Sequence, residues 1–208
     1  TLLVLLIFVL IIISILNFSP IMKLDLLVNQ NIIPIQNPAA STILWLITNL
    51  MHPAVFAIIF LIFASVLIYK KRKKEAIFSL CVVAAGYLLK AIIKEVLKRS
   101  RPINSLIEAS GYSFPSGHSV LSIIFLSLII YFFKDNLKNK TQKWLFISAN
   151  VAIILLIGFS RIYFNANWLS DVIGGFSLGL FLVLFSIWLL KEKTISKKPR
   201  RHQFSRVA

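Results

Sequence analysis

Long apolar runs separated by short clusters of Lys and Arg decide what this chain can fold into. A run of about 20 apolar residues is the length of helix that crosses about 30 Å of hydrocarbon. Inside lipid only a helix or a closed barrel satisfies its own backbone hydrogen bonds. Hydrophobic residues make up 58% of the 208-residue chain, and the mean hydropathy is +0.86, far above the level of soluble domains. The expected fold class is therefore all-α, an integral membrane bundle of six transmembrane helices. The expected spans are Thr1–Phe18, about 50–69 with a short helix before it, Ala76–Ile93, His118–Phe133, Trp144–Phe159 and Val172–Leu190. One domain covers 1–190, and 191–208 reads as a basic, disordered cytoplasmic tail.

The first run lacks the basic start and the small-residue cleavage site of a signal peptide. It reads as a span, and its start without Met reads as trimmed or processed. Ser19–Ser41 carries Pro20, Pro34 and Pro38, with Lys23 and Asp25 as its only charges. It reads as an interfacial connector in which Ile21, Leu24, Leu27 and Val28 line one face of a short surface helix. His52, beside Pro53, reads as an interfacial or capping residue with no tie to a site.

The formal net charge of +16 would suggest nucleic acid in a soluble protein. Here the charges fall between apolar runs, so no nucleic-acid partner is expected. The stretch Lys70–Lys74, the stretch Lys134–Lys143 and the tail hold 5, 4 and 7 Lys/Arg. With six spans these share one side, which the positive-inside rule assigns to the cytoplasm. Seven basic residues remain for the other side, and most cluster in 90–101. Lys90, Lys94, Lys98 and Arg101 fall on one face if the helix continues to Pro102. A single cysteine, Cys81, excludes an internal disulfide and a CxxC site. No His/carboxylate cluster has ligand spacing, so neither a metal nor another cofactor is expected.

Three polar stretches interrupt the pattern on the side opposite the basic loops. They are Lys94–Pro102, Tyr112–Ser119 and Ser160–Asp171. Lys94, Arg101 and Arg161 are cations close to bilayer depth, where a charge is costly and is usually functional. Arginine can hold an anion through two N–H groups at once. Pro115-Ser116-Gly117-His118 opens a helix, whose free N–H groups and dipole favour phosphate. Gly117 admits the backbone closely, Ser116 offers a hydroxyl, and His118 is placed to move a proton. Asp171 follows Asn167 by four residues, one helical turn. The residues alone describe an outward-facing phosphate or sulfate site with an acid.

Lys94-x6-Arg101-Pro102, Pro115-Ser116-Gly117-His118 and Ser160-Arg161-x5-Asn167-x3-Asp171 resemble, in order, the three signature motifs of the type 2 phosphatidic acid phosphatase superfamily. The resemblance implies metal-independent hydrolysis of a lipid phosphate or diphosphate at the outer face of the plasma membrane. Undecaprenyl diphosphate, phosphatidylglycerol phosphate and lipid A phosphate all fit. It also implies that Lys94, Arg101, Ser116, Gly117 and Arg161 bind phosphate, and that His118 protonates the leaving group. A haloperoxidase shares these motifs, but those relatives are soluble and require a histidine at the metal-ligand position.

One position departs from the pattern. The family has a nucleophilic histidine, oriented by the aspartate matching Asp171, where this chain has Asn167. An amide lone pair is delocalised and does not attack phosphorus. The chain as written is expected to bind lipid phosphate and turn it over hardly at all. An introduced substitution, a naturally degenerate lipid-phosphate binder and a different nucleophile all remain open, as does the oligomeric state.

Overall fold

The computed structural model describes residues 1–17 and 20–196. Eight α-helices carry the fold: α1 Leu2–Leu16, α2 Pro20–Ile32, α3 Pro38–Asn49, α4 Pro53–Tyr69, α5 Lys73–Leu97, α6 Gly117–Phe133, α7 Lys140–Tyr163 and α8 Leu169–Ser196. Short 3-10 turns follow α2 and α6. The boundaries obey local chemistry. Asn37 caps α3 by accepting from the Ala40 N–H at 2.9 Å, and Asn139 caps α7 by accepting from Gln142 at 2.7 Å. Pro38 and Pro53 sit in the first turns of α3 and α4, where a missing N–H costs nothing.

Among the described residues, four helices are long and apolar enough to cross a membrane: 73–97, 117–136, 140–163 and 169–192. The number reaches six only if α1 with α2, bent by 86°, and α3 with α4, bent by 53°, each count as one span. The expected short helix before the second span is α3, joined to α4 across the His52-Pro53 step. At the other end α8 runs past Leu190 to Ser196, and the tail beyond it lies outside the described residues.

The centre of the bundle is α6. It buries Val120, Leu121, Ile124, Phe125 and Leu128, packed by α5, α7 and α8. Contact with α8 is close because Gly175 and Gly179 face it. A Cβ at Gly175 would lie 2.7 Å from the Ser116 carbonyl, and one at Gly179 would lie 2.8 Å from the Val120 carbonyl. Small residues four apart let two backbones meet where water offers no hydrophobic drive. The periphery is inverted relative to a soluble protein: Leu61, Ile62, Ile77 and Leu88 are all exposed, as a lipid-facing surface requires.

Helix α2 shows the same inversion in miniature. Its Leu24 and Leu27 point outward while Asp25 is 2% exposed. The connector is a helix, as its apolar spacing predicts, but its inward face is set by a carboxylate.

A second expectation fails at the end of α5. The basic stripe does not stay helical to Pro102. The helix stops at Leu97, and Lys98 caps it in the left-handed region at φ 45. Pro102 disfavours helical backbone at Arg101. Arg99 and Arg101 consequently leave the helix face and turn inward on a loop, 98–116, that ends where α6 begins.

Candidate active site

Helix direction gathers the polar stretches at one end of the bundle. The last turns of α5 and α7 and the first turns of α6 and α8 all meet there. The clusters Lys70–Lys74 and Lys134–Lys143 lie at the other ends of the same helices. Between the site ends is a cavity of about 740 Å3. Lys94, Arg101, Gly117, His118, Arg161 and Asn167 all line it. Two expected site residues do not reach the cavity wall. Ser116 is fully buried, its hydroxyl accepts from Ser119 at 3.0 Å, and its N–H donates to the Asp171 carbonyl at 3.0 Å. Asp171 is fully buried behind Asn167.

The cations are already partly engaged. Lys94 donates to the Tyr112 carbonyl and, at 3.3 Å, to that of Ser113. Arg101 donates Nε to Gly111 at 2.9 Å, one terminal nitrogen to Ala166 at 2.6 Å, and the other to Ser110 and Tyr112 at 3.0 and 3.2 Å. A guanidinium has five N–H groups, so the two-pronged grip expected of Arg101 is not free in this state. Burial pulls its proton affinity down, with the Asp171 carboxylate acting the other way; it remains a cation at neutral pH. Arg161, 4% exposed, donates Nε to the Asn167 amide oxygen at 3.3 Å and a terminal nitrogen to Thr48 at 3.2 Å. Its remaining N–H groups are the least committed of the three.

Asn167 is held from three sides. Its oxygen takes the Arg161 bond, and its nitrogen donates to the Ser113 carbonyl at 2.9 Å and to Asp171 Oδ2 at 3.4 Å. The same Oδ2 accepts the Trp168 N–H at 2.9 Å. Asp171 Oδ1 is occupied by Arg99 at 2.5 Å.

Sequence reasoning missed several neighbours. His52, read as unconnected, lines the cavity, and so does Lys90, whose ammonium lies 3.9 Å above the Tyr87 ring. His52 arrives by tertiary folding, through the bend between α3 and α4; Lys90 lies one turn before Lys94 in α5, on the helix face the sequence gives them both, but was not counted as a site residue. Arg99, Asp25 and Ser170 form a buried cluster behind the wall. The one available signal was Asp25 itself, the sole acid of the 19–41 connector and the kind of residue a membrane protein rarely places without a partner. Among the described residues no three His, Cys, Asp or Glu side chains converge as a metal site.

Residues 75–195 match the model of the PAP2 superfamily. Phosphatidylglycerophosphatase B of Bacillus subtilis is 30% identical over 178 residues, covering 84% of this chain and 87% of that protein. An undecaprenyl-diphosphatase of Sulfolobus acidocaldarius is 28% identical over 141 residues, 64% of each chain. The crystal structure of a transmembrane PAP2-type phosphatidylglycerolphosphate phosphatase from Bacillus subtilis superposes with a TM-score of 0.82 at 25% identity, covering 91% of this chain and 96% of that one.

Proposed function

The chain belongs to the PAP2 superfamily and is a multi-pass membrane protein, and on that basis we propose that its cavity receives the phosphate of a membrane lipid phosphate or diphosphate. The carrying observation is the convergence of Lys94, Arg101, Arg161 and His118 with the start of α6 on one cavity. Three cations and a helix N-terminus suit the equatorial oxygens of a phosphoryl group. The positive-inside rule puts the basic clusters in the cytoplasm, so the cavity opens to the outer face of the plasma membrane.

In the reaction this geometry was built for, an imidazole at position 167 attacks phosphorus in line. Asp171 Oδ2 holds its second nitrogen. Lys94, Arg101 and Arg161 stabilise charge on the phosphoryl oxygens, and His118 gives a proton to the departing lipid oxygen. Water then attacks the phosphohistidine and releases phosphate. Ser116 acts from behind, anchoring the start of α6 through its bond to the Asp171 carbonyl.

With Asn167 the first step has no nucleophile. The amide nitrogen is a donor here, to Ser113 and Asp171, and its lone pair is conjugated. The chain as it stands binds the headgroup and turns it over at a small fraction of the histidine form. Assaying phosphate release from phosphatidylglycerophosphate and undecaprenyl diphosphate before and after Asn167→His tests this. Activity confined to the histidine form supports the phosphatase reading. Inactivity of both forms favours the second reading, a non-catalytic lipid-phosphate binder, for which Asn167 itself is the motivating observation.

A further inference from the structure

Directly behind position 167 lies a buried ionic cluster of which the phosphoryl-transfer chemistry uses Asp171 alone. Arg99 bridges two carboxylates, with one terminal nitrogen 2.6 Å from Asp25 Oδ2 and the other 2.5 Å from Asp171 Oδ1. The side chains are 8%, 2% and 0% exposed respectively. Ser170 closes the ring: its N–H donates to Asp25 Oδ1 at 2.9 Å, its hydroxyl donates to Asp25 Oδ2 at 2.6 Å, and it accepts from Arg99 at 2.7 Å. The Arg99 carbonyl accepts the Ser113 N–H at 2.8 Å, and the Ser113 carbonyl in turn holds the Asn167 nitrogen at 2.9 Å.

We propose that Arg99, anchored by Asp25 from α2, is a positioning residue that fixes the Asp171 carboxylate so that Oδ2 faces the side chain at position 167. Neither Arg99 nor Asp25 lines the cavity, so neither touches the phosphate. A tether for α2 alone would need only one ion pair. The second pair, on a fully buried carboxylate, determines which oxygen is left for residue 167. Without Arg99, Asp171 would keep only the Trp168 N–H and the side chain at 167 as donors, and its carboxyl plane would be free to rotate.

This inference rests on the phosphatase reading, so its test includes a readout that needs no turnover. The full chain carrying Asn167→His is labelled with 15N-histidine and examined by NMR in detergent micelles. The introduced imidazole is expected as one tautomer, with its proton on the nitrogen facing Asp171. Adding Arg99→Met should give a mixture of tautomers. It should also lower kcat for phosphate release about tenfold or more, the scale of a small misplacement of a reacting group, with KM within about threefold. Arg99→Lys keeps the charge but cannot span both carboxylates, and should fall between the two. An unchanged tautomer and kcat in Arg99→Met overturns the proposal. If Arg99→Met does not fold, Arg99→Lys decides: a mixed tautomer supports the proposal and an unchanged one overturns it. A fixed tautomer that Arg99→Met disperses, in a protein releasing no phosphate, keeps the positioning role and rejects the phosphatase reading.

Discussion

The Asn167 amide nitrogen sits 3.4 Å from Asp171 Oδ2. This long contact joins the side chain at position 167 to the buried Asp171 carboxylate across one turn of chain. Everything an imidazole would need surrounds position 167: an acceptor behind it, Arg161 beside it and a cavity in front. The amide meets those partners with hydrogen bonds, but its nitrogen lone pair is delocalised and does not attack phosphorus.

Asn167→His is therefore expected to raise lipid phosphate hydrolysis by about a thousandfold or more, the scale on which a covalent nucleophile acts. Phosphate release from mixed micelles measures it. A radiolabelled, acid-labile and base-stable phosphoprotein should appear in the same variant and not in the parent chain.

His118→Asn, made on top of Asn167→His, should slow hydrolysis of a lipid phosphate by about a hundredfold, the lower range for general acid catalysis. The loss should shrink for an aryl phosphate, whose leaving group needs no proton. Equal losses on both substrates would remove His118 from the acid role.

Lys94→Met should weaken binding of orthovanadate to the unmodified chain by about tenfold or more, since a hydrogen bond to a charged group contributes about 1.5–3 kcal/mol. Arg161→Lys keeps the charge but loses the planar fork. It should cost affinity as well, and should loosen Asn167, whose amide oxygen Arg161 holds at 3.3 Å. Calorimetric titration reads both.

Gly175→Ala should destabilise the bundle by about 1–3 kcal/mol, the usual cost of overpacking. The new methyl would lie 2.7 Å from the Ser116 carbonyl and 2.8 Å from Ser119 Cβ, and the backbone oxygen cannot move aside as a side-chain tip can. Thermal unfolding in detergent checks this.

Orientation is read by labelling. In a Cys81→Ala background, Ile103→Cys places a thiol on a fully exposed loop position at the site end. An impermeant reagent should modify it in intact cells and leave Lys138→Cys untouched until lysis. The reverse pattern would invert the topology.

Much of this site was legible because its parts are local. Pro115-Ser116-Gly117-His118 carries its own helix start, and Lys94, Arg161 and Asp171 sit at helix ends that apolar run lengths already locate. Arg101 was found for a wrong geometric reason: it reaches the cavity from a loop, not along the α5 face. Asp25 and Arg99 were invisible as a pair. They are 74 residues apart, and within the basic stretch 98–101 nothing marks which cation turns inward. The number of spans was less legible than the helices, because a break at Pro53 bends one apolar run by 53° without changing its composition.

The carbonyl bonds of Arg101 have a thermodynamic corollary. Four of its five N–H groups are held by Ser110, Gly111, Tyr112 and Ala166. A ligand that takes more than the one spare N–H must take it from the segment above the cavity or from the turn before α8. Occupancy of the site by a phosphate would then be reciprocally linked to the bonds that hold 110–112: anything that pins this segment is expected to lower the affinity for a phosphate ligand by the same factor by which the ligand loosens the segment.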